Sequence, residues 1–346
     1  MLRLYQENDE QKINELFLTV FNKKRSIEEW QWKFSNSLKH DPIIAIYEEN
    51  GSILGHAAVL VFEGKTGSND ALFGERIDVM VHPDYRGKGI YQQLITFLID
   101  QCKEKEIHFV YGYPAPKAKE LFIRYMNGKE ITYVPRLLSI LSPGKLLLSR
   151  VKPLRKVHFL FSWLDRAFKM RSKVSREIKV EEINVIDERF DLLWNRISSD
   201  YSMLIKRSSE YLSWRYKEHP NRDYRLYMVF RGDEAIGYIA IRDEIIKKNN
   251  YSLNMLHVTD LFCLNNSYDS LEMVKALNSV AGHADIVSTW SLLHTEQYKA
   301  LKKKGRFLHI GNPMPLVGKM LFEETSPLDP YDSSQWFVSQ GDVDSY

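Results

Sequence analysis

The chain has 346 residues, of which 44% are hydrophobic and 27% charged, and its formal net charge is only +3. This is too long for one typical core and comfortable for two, and the charge is too small to suggest a nucleic-acid partner. Its only cysteines, Cys102 and Cys263, lie far apart with no second Cys or His at ligand spacing beside either, so neither a disulfide scaffold nor a metal site is expected.

Residues Met1 to Glu10 turn acidic and polar where a secretory signal would need an apolar run. No window approaches the ~20 apolar residues of a spanning helix, so a cytoplasmic, soluble protein is expected. Helices are predicted over Asp9 to Phe21 and Ser26 to Phe34, the second opening on a Ser-x-x-Glu capping box formed by Ser26 and Glu29. Ile43 to Tyr47 and Ser52 to Phe62 read as strands around the turn Glu49-Asn50-Gly51, where Asn-Gly is a hairpin signal. Leu72 to Val81 is the next strand, Gly89 to Glu104 a helix, Ile107 to Tyr113 a strand and Lys117 to Met126 a helix.

From Lys145 to Lys173 the sequence is basic and amphipathic, with nine cations opposed only by Asp165 and interleaved with apolar residues such as Phe161, Trp163 and Phe168. A linker whose greasy face packs onto a domain is favoured over peripheral contact with an anionic membrane or a phosphorylated ligand.

Beyond it, the first half recurs at a constant offset of 182 residues. Trp32 pairs with Trp214, Ile53 to Val59 with Ala235 to Ile241, and Asp78-Val79-Met80-Val81 with Asp260-Leu261-Phe262-Cys263; after a shorter connection Gly128 corresponds to Gly305. The chain is a tandem duplication. The expected boundaries are 1–144 and 177–325 for the two copies, 145–176 for the linker and 326–346 for a mobile or docked tail rich in Asp.

The chemistry concentrates where a buried strand feeds the loop Arg86-Gly87-Lys88-Gly89 and a helix beginning Ile90-Tyr91. Unpaired N–H groups and the positive end of the helix dipole converge at such a junction, and pyrophosphate is the natural guest. On the residues alone a solvated basic turn fits equally well. The second copy, with Tyr268-Asp269-Ser270-Leu271 at the same offset, lacks both glycines and cations.

This element resembles the signature of the GNAT acyl-CoA N-acyltransferase superfamily, Gln/Arg-x-x-Gly-x-Gly/Ala after a Val-x-Pro-like strand end; Arg86 and Gly89 match, and Tyr91 replaces the last small residue. The resemblance implies an α+β fold of two tandem GNAT-like domains, each a mixed twisted sheet flanked by helices. It further implies acyl-CoA as cosubstrate, its pantetheine held by the backbone of Met80 and Val81 in a gap between splayed strands. Its pyrophosphate would lie on the loop amides of Gly87, Gly89 and Tyr91, with Arg86, Lys88 and Ile90 completing that site. Many members carry a general-acid Tyr after a Leu in the following helix. Here Leu121 is followed by Phe122, and Tyr125, one turn on, is the candidate substitute; the alternatives are that it is a core residue or that the step needs no protein acid. Glu75 and Asp78 are candidate bases for the attacking ammonium. The degenerate copy is expected to form the acceptor side, with Trp32, Trp214, Arg215 and His257 as candidate acceptor-binding residues, although matched tryptophans are more often core. The tandem layout resembles proteins of bacterial surface-polysaccharide and unusual-sugar biosynthesis, which implies a small-molecule amine, a dTDP-linked amino sugar, as acceptor. An aminoglycoside, a peptide, a protein lysine, or a non-catalytic CoA-binding role are the alternatives.

Overall fold

The computed structural model describes residues 1–35, 39–150, 158–169, 174–248, 251–310, 314–322 and 328–343. The first half runs β1 (Leu2–Leu4), α1 (Glu10–Phe21), α2 (Ile27–Phe34), β2 (Ile43–Glu49), β3 (Ser52–Thr66), β4 (Asn69–Val81), α3 (Ile90–Glu104), β5 (Phe109–Gly112), α4 (Pro116–Met126), β6 (Lys129–Val134) and β7 (Arg136–Ile140). Two helices follow, α5 (Pro143–Arg150) and α6 (His158–Lys169). The second half repeats the order as β8 (Ile178–Ile183), α7 (Arg189–Ile197), β9 (Met203–Ile205), α8 (Ser209–Tyr216), β10 (Arg225–Arg231), β11 (Glu234–Lys248), β12 (Tyr251–Cys263), α9 (Ser267–Val280), β13 (Ile286–Trp290), α10 (Glu296–Lys303), β14 (Leu308–His309) and β15 (Met314–Met320).

Local signals act as expected at several ends. Ser26 and its repeat partner Ser208 each accept a hydrogen bond from the backbone N–H three residues on, capping α2 and α8. Asn50 and Gly51 both take left-handed backbone, as the tight turn between β2 and β3 requires.

Two mixed sheets result. The first has the order β1-β2-β3-β4-β5-β15-β6, with β9 added along β3, and the second β14-β7-β13-β12-β11-β10-β8. In each, one parallel pair sits at the centre, β4 with β5 and β12 with β13. The copies exchange a strand: β15 lies between β5 and β6, and β7 between β13 and β14. The compact units are therefore discontinuous. The first comprises 1–133, 202–221 and 314–335, and the second 134–201, 222–313 and 336–346. This differs from the continuous boundaries read from the sequence, because backbone pairing partners are not encoded in local periodicity.

In the first unit α3 lays Ile90, Leu94, Ile95 and Leu98 on Ala45, Ala57 and Val59 of the sheet. In the second, α9 does the same with Met273, Val274, Ala276 and Leu277 against Ile239, Ile241 and Val258. The matched glycines Gly55 and Gly237 have a packing cause. A Cβ at Gly55 would lie 2.8 Å from Leu94 Cδ1 and 2.9 Å from Ile90 Cγ2, and one at Gly237 would lie 2.5 Å from Phe262 O. Gly55→Val is expected to destabilise the fold by about 1–3 kcal/mol through overpacking, read as a lower urea midpoint at unchanged slope.

The basic stretch forms α5 and α6, though residues 151–157 and 170–173 lie outside the described ones. Asp165 of α6 accepts hydrogen bonds from the N–H groups of Gly144 and Lys145, capping α5. Part of the apolar face packs there, but Trp163 is 72% exposed. The tail docks: Trp336, Phe337 and Val338 are buried, and Phe337 meets Tyr201 and Phe262 edge-on at ring separations of 4.9 and 5.3 Å. Among the described residues, no helix is long and apolar enough to cross a membrane.

Candidate active site

Strand β4 ends at Val81, and residues 82–89 carry the chain to α3. Pro83 to Tyr85 make one short turn, Arg86 Nε donates to Val81 O at 3.3 Å, and the Lys88 ammonium sits 4.3 Å from the centre of the Tyr85 ring. Gly87 and Gly89 have φ of +80° and +79°, backbone that a β-branched residue resists. A Cβ at Gly87 would meet nothing within 4 Å, so conformation and not crowding calls for glycine there. Gly89 precedes α3 with no side chain to cap it, leaving the first-turn N–H groups of a 15-residue helix facing outward with the positive dipole end.

The second unit closes the equivalent junction. Only residues 264–266 join β12 to α9, and Asn266 Oδ1 accepts from Asp269 N at 2.9 Å while the Asp269 carboxylate pairs with Arg231. Tyr268 to Leu271, set against the loop at constant offset, lie inside α9 instead. The loop is deleted in the second copy, not substituted, and its helix terminus carries a side-chain cap.

Below the loop, β4 and β5 pair over Phe73 to Glu75 and Phe109 to Tyr111, and the ladder ends as Gly112 passes beside Arg76. A side chain at Gly112 would be crowded, since a Cβ would lie 3.2 Å from Arg76 O. Further along β4 come buried Met80 and half-buried Val81, the expected pantetheine contacts.

A bulge interrupts the β3–β4 ladder between the pairs His56 with Met80 and Ala58 with Ile77. Asp78, in the bulge, has φ of +47°. Its carboxylate accepts from Arg25 Nη1 at 2.5 Å and Lys33 Nζ at 3.3 Å, and its carbonyl accepts from His56 Nδ1 at 2.7 Å. Burial alone would raise the Asp78 pKa, but the charges of Lys33, Arg25 and His56 outweigh it and hold the carboxyl down at about 2. This corrects the expectation of a base at Asp78: a carboxylate committed to two cations is a poor proton acceptor near neutrality. Its repeat partner Asp260 also serves architecture, accepting from Tyr238 Oη at 2.5 Å.

Glu75 is buried on β4, across from Leu60 and Tyr111. It lies one residue from the point of parting, its side chain on the opposite face from that of Arg76. Tyr125 is half-buried with its ring centre 5.4 Å from that of Tyr91, and Phe122 is fully buried. Trp32 and Trp214 both belong to the first unit. Their rings stack 4.9 Å apart, and each indole N–H donates to the other residue's carbonyl at 2.9 Å. Both are buried with their only donors used, so the matched tryptophans are packing residues and not an acceptor surface. Arg215 is buried beside the Tyr216 ring. His257 lies in the second unit, on β12, 2.9 Å from Glu244 Oε2. The structure thus gathers every expected site residue except His257 into the first unit.

Burial holds both His56 and His257 down at about 4, so they are neutral at pH 7. Their folded pKa values lie below the ordinary 6.5, so the unfolded chain binds protons first on acidification. Stability is therefore expected to be full above pH 6.5 and to decline towards pH 4, with a shallower decline in His56→Asn and His257→Asn variants followed by urea titration.

Arg76 was not singled out by the sequence, although one signal was present. It is the one cation of a central strand, and the repeat carries Val258 in its place.

Among the described residues, no cluster of three or more His, Cys, Asp or Glu could hold a metal ion. Residues 1–120 match the family model described as acetyltransferase (GNAT) domain. No curated protein sequence matches the chain. Among solved structures, the fold is similar to that of a GCN5-related N-acetyltransferase from Anabaena variabilis ATCC 29413, with TM-score 0.66 and 12% identity over 93% of this chain and 73% of that one. A conserved protein of Enterococcus faecalis V583 gives 0.64 and 12%, covering 93% and 72%. A GCN5-related N-acetyltransferase from Kribbella flavida gives 0.63 and 14%, covering 92% and 71%. The chain is built as two tandem GNAT-like units, and its first 120 residues are similar to the acetyltransferase (GNAT) domain of that family model.

Proposed function

We propose that the chain is an acyl-CoA-dependent N-acyltransferase, working once per chain at the first unit, with a primary amine as acceptor. The observation that carries the reading is the contrast between the two helix termini. The N–H groups of α3 have no side-chain cap behind two left-handed glycines, while α9 is capped by Asn266, which accepts from Asp269 N. A terminus kept open in one copy and sealed in the other is a place for a ligand anion, and a pyrophosphate suits its charge and breadth. The residues fit CoA: the amides of Gly87, Gly89 and Tyr91 and the cations of Arg86 and Lys88 hold phosphate, while the edges of β4 beyond Arg76 hold the pantetheine.

In the transfer step the backbone of Met80 and Val81 orients the donor at the parting of the strands. Glu75, buried and next to that point, is the remaining carboxylate candidate to receive the ammonium proton, directly or through water. Tyr125, the candidate acid, packs against Tyr91 with ring centres 5.4 Å apart. The resemblance of the tandem layout to proteins of surface-sugar biosynthesis supports a nucleotide-linked amino sugar as the acceptor.

A matrix of acyl-CoAs against amines, followed by release of free thiol, tests this. Turnover with a dTDP-amino sugar supports the full reading. Turnover only with an aminoglycoside, a peptide or a protein lysine replaces the acceptor. CoA binding with no turnover on any amine replaces catalysis with a sensing or scaffolding role.

A further inference from the structure

Among the described residues of the proposed donor site, Arg76 is a buried cation whose charge no ion pair explains. It is 93% buried, at 7% relative exposure, on the central strand β4 where β5 turns away. Its Nη1 donates to Tyr91 Oη at 3.2 Å, its guanidinium lies 4.8 Å from the centre of the Phe122 ring, and its Nε has no hydrogen-bond partner. Among the described residues no carboxylate pairs with it. Burial depresses its pKa, opposed by the Tyr91 oxygen. Burying an ion without a counter-ion costs several kcal/mol, so such a group survives selection poorly unless it is used.

The molecule contains its own control. Val59 faces Arg76 across the first sheet, and the same register in the second sheet pairs Ile241 with Val258. Val258 is fully buried and satisfied. The architecture therefore accepts an aliphatic side chain at this place, and the cation accompanies the unit whose helix terminus is open.

Direction narrows what the cation meets. The side chain reaches from the parting of the strands towards Tyr91 in the first turn of α3, and thus towards the loop. A donor anchored by its pyrophosphate at that loop sends its arm down the same path and delivers its sulfur to the parting point. We propose that the Arg76 guanidinium, steadied by the Tyr91 hydroxyl, receives the negative charge of the thiolate that leaves CoA. This rests on the reading of the groove as a CoA site. When the amine nitrogen bonds to the acyl carbon, the carbon–sulfur bond breaks and its electron pair leaves on sulfur. The amine's surplus proton passes to solvent, and Arg76 keeps its own proton throughout. A guanidinium fixed beside the developing thiolate stabilises it without having to reorganise.

The test is the ionisation of bound CoA, followed as thiolate absorbance in the ultraviolet. The complex with dethio-CoA, which lacks the sulfur, is subtracted to remove the contributions of Tyr91 on α3 and Tyr125 on α4. In the wild type the bound thiol is expected to ionise about one pH unit or more below free CoA. Arg76→Met should abolish that shift, Arg76→Lys should restore part of it, and dethio-CoA affinity should be the same in all three. Val258 indicates that the Met variant folds, and circular dichroism checks it. Equal thiol ionisation in wild type and Arg76→Met, with both still binding CoA, would overturn the inference while leaving the CoA site intact. So would selective loss of a carboxylated donor such as succinyl-CoA without a change in thiol ionisation, which would assign the cation to the acyl chain. If wild type binds neither CoA nor dethio-CoA, the donor-site reading itself is wrong and the inference falls with it.

Discussion

Gly89→Val is expected to weaken CoA binding by at least tenfold while leaving the fold in place. At φ of +79° a β-branched residue is strained by roughly 1–2 kcal/mol, and the backbone relieves it by rotating out of the left-handed region. That rotation turns the N–H groups at the head of α3 away from a common point, so the ligand loses several convergent donors at once. A tenfold change corresponds to about 1.4 kcal/mol, within reach of one misdirected hydrogen bond to a charged group. Because a Cβ at Gly89 would meet nothing closer than Gln93 Nε2 at 3.9 Å, the variant introduces no clash with the core. Calorimetric titration with CoA provides the measurement, and Asn266→Gly, which uncaps α9, should leave the affinity unchanged. Wild-type affinity in Gly89→Val would remove the loop from the donor site.

The second large effect concerns stability. Asp78→Asn keeps a residue type that tolerates left-handed backbone but deletes the charge shared by Arg25 and Lys33, whose side chains are 2% and 8% exposed. Removing one partner of a buried ion pair typically costs about 3–5 kcal/mol, since the remaining charges stay desolvated. Asp78→Asn should therefore lower the urea midpoint substantially, and adding Arg25→Met should recover part of the loss through coupling between the two sites. The wild-type contribution also has a pH signature. With a folded pKa of about 2 against an ordinary 3.8, the Asp78 carboxylate stabilises fully above pH 3.8 and loses that effect as the pH falls towards 2. A variant of wild-type stability with no activity would return Asp78 to the list of bases.

These two residues show what a sequence makes visible. Gly89 could be located because a strand, a glycine-rich turn and a helix follow one another within a dozen positions, and each announces itself locally. Asp78 was visible as a repeat match, but its role depends on Arg25 and Lys33, about fifty residues upstream, which only tertiary folding brings to it. Arg76 was missed for a related reason. A cation in a strand is unremarkable in one dimension, and its isolation is a property of everything around it. Trp32 and Trp214 were read as a repeat pair, yet their direct contact, each indole donating to the other's carbonyl, is a fact of three dimensions. The order of helices and strands followed the hydrophobic periods closely, apart from the short β1 and β9. The exchange of β7 and β15 left no trace in those periods, because periodicity marks a strand without naming the sheet it joins.

That exchange sets a schedule for synthesis. The strand that fills the space between β5 and β6 is encoded at residues 314–320, so the first sheet stays open until the second copy's last strand has left the ribosome. The second copy, by contrast, finds β7 already made when β13 emerges. The later half of the chain can thus complete its sheet before the earlier half completes its own, and the unit that carries the candidate active site waits on a strand made by the other copy.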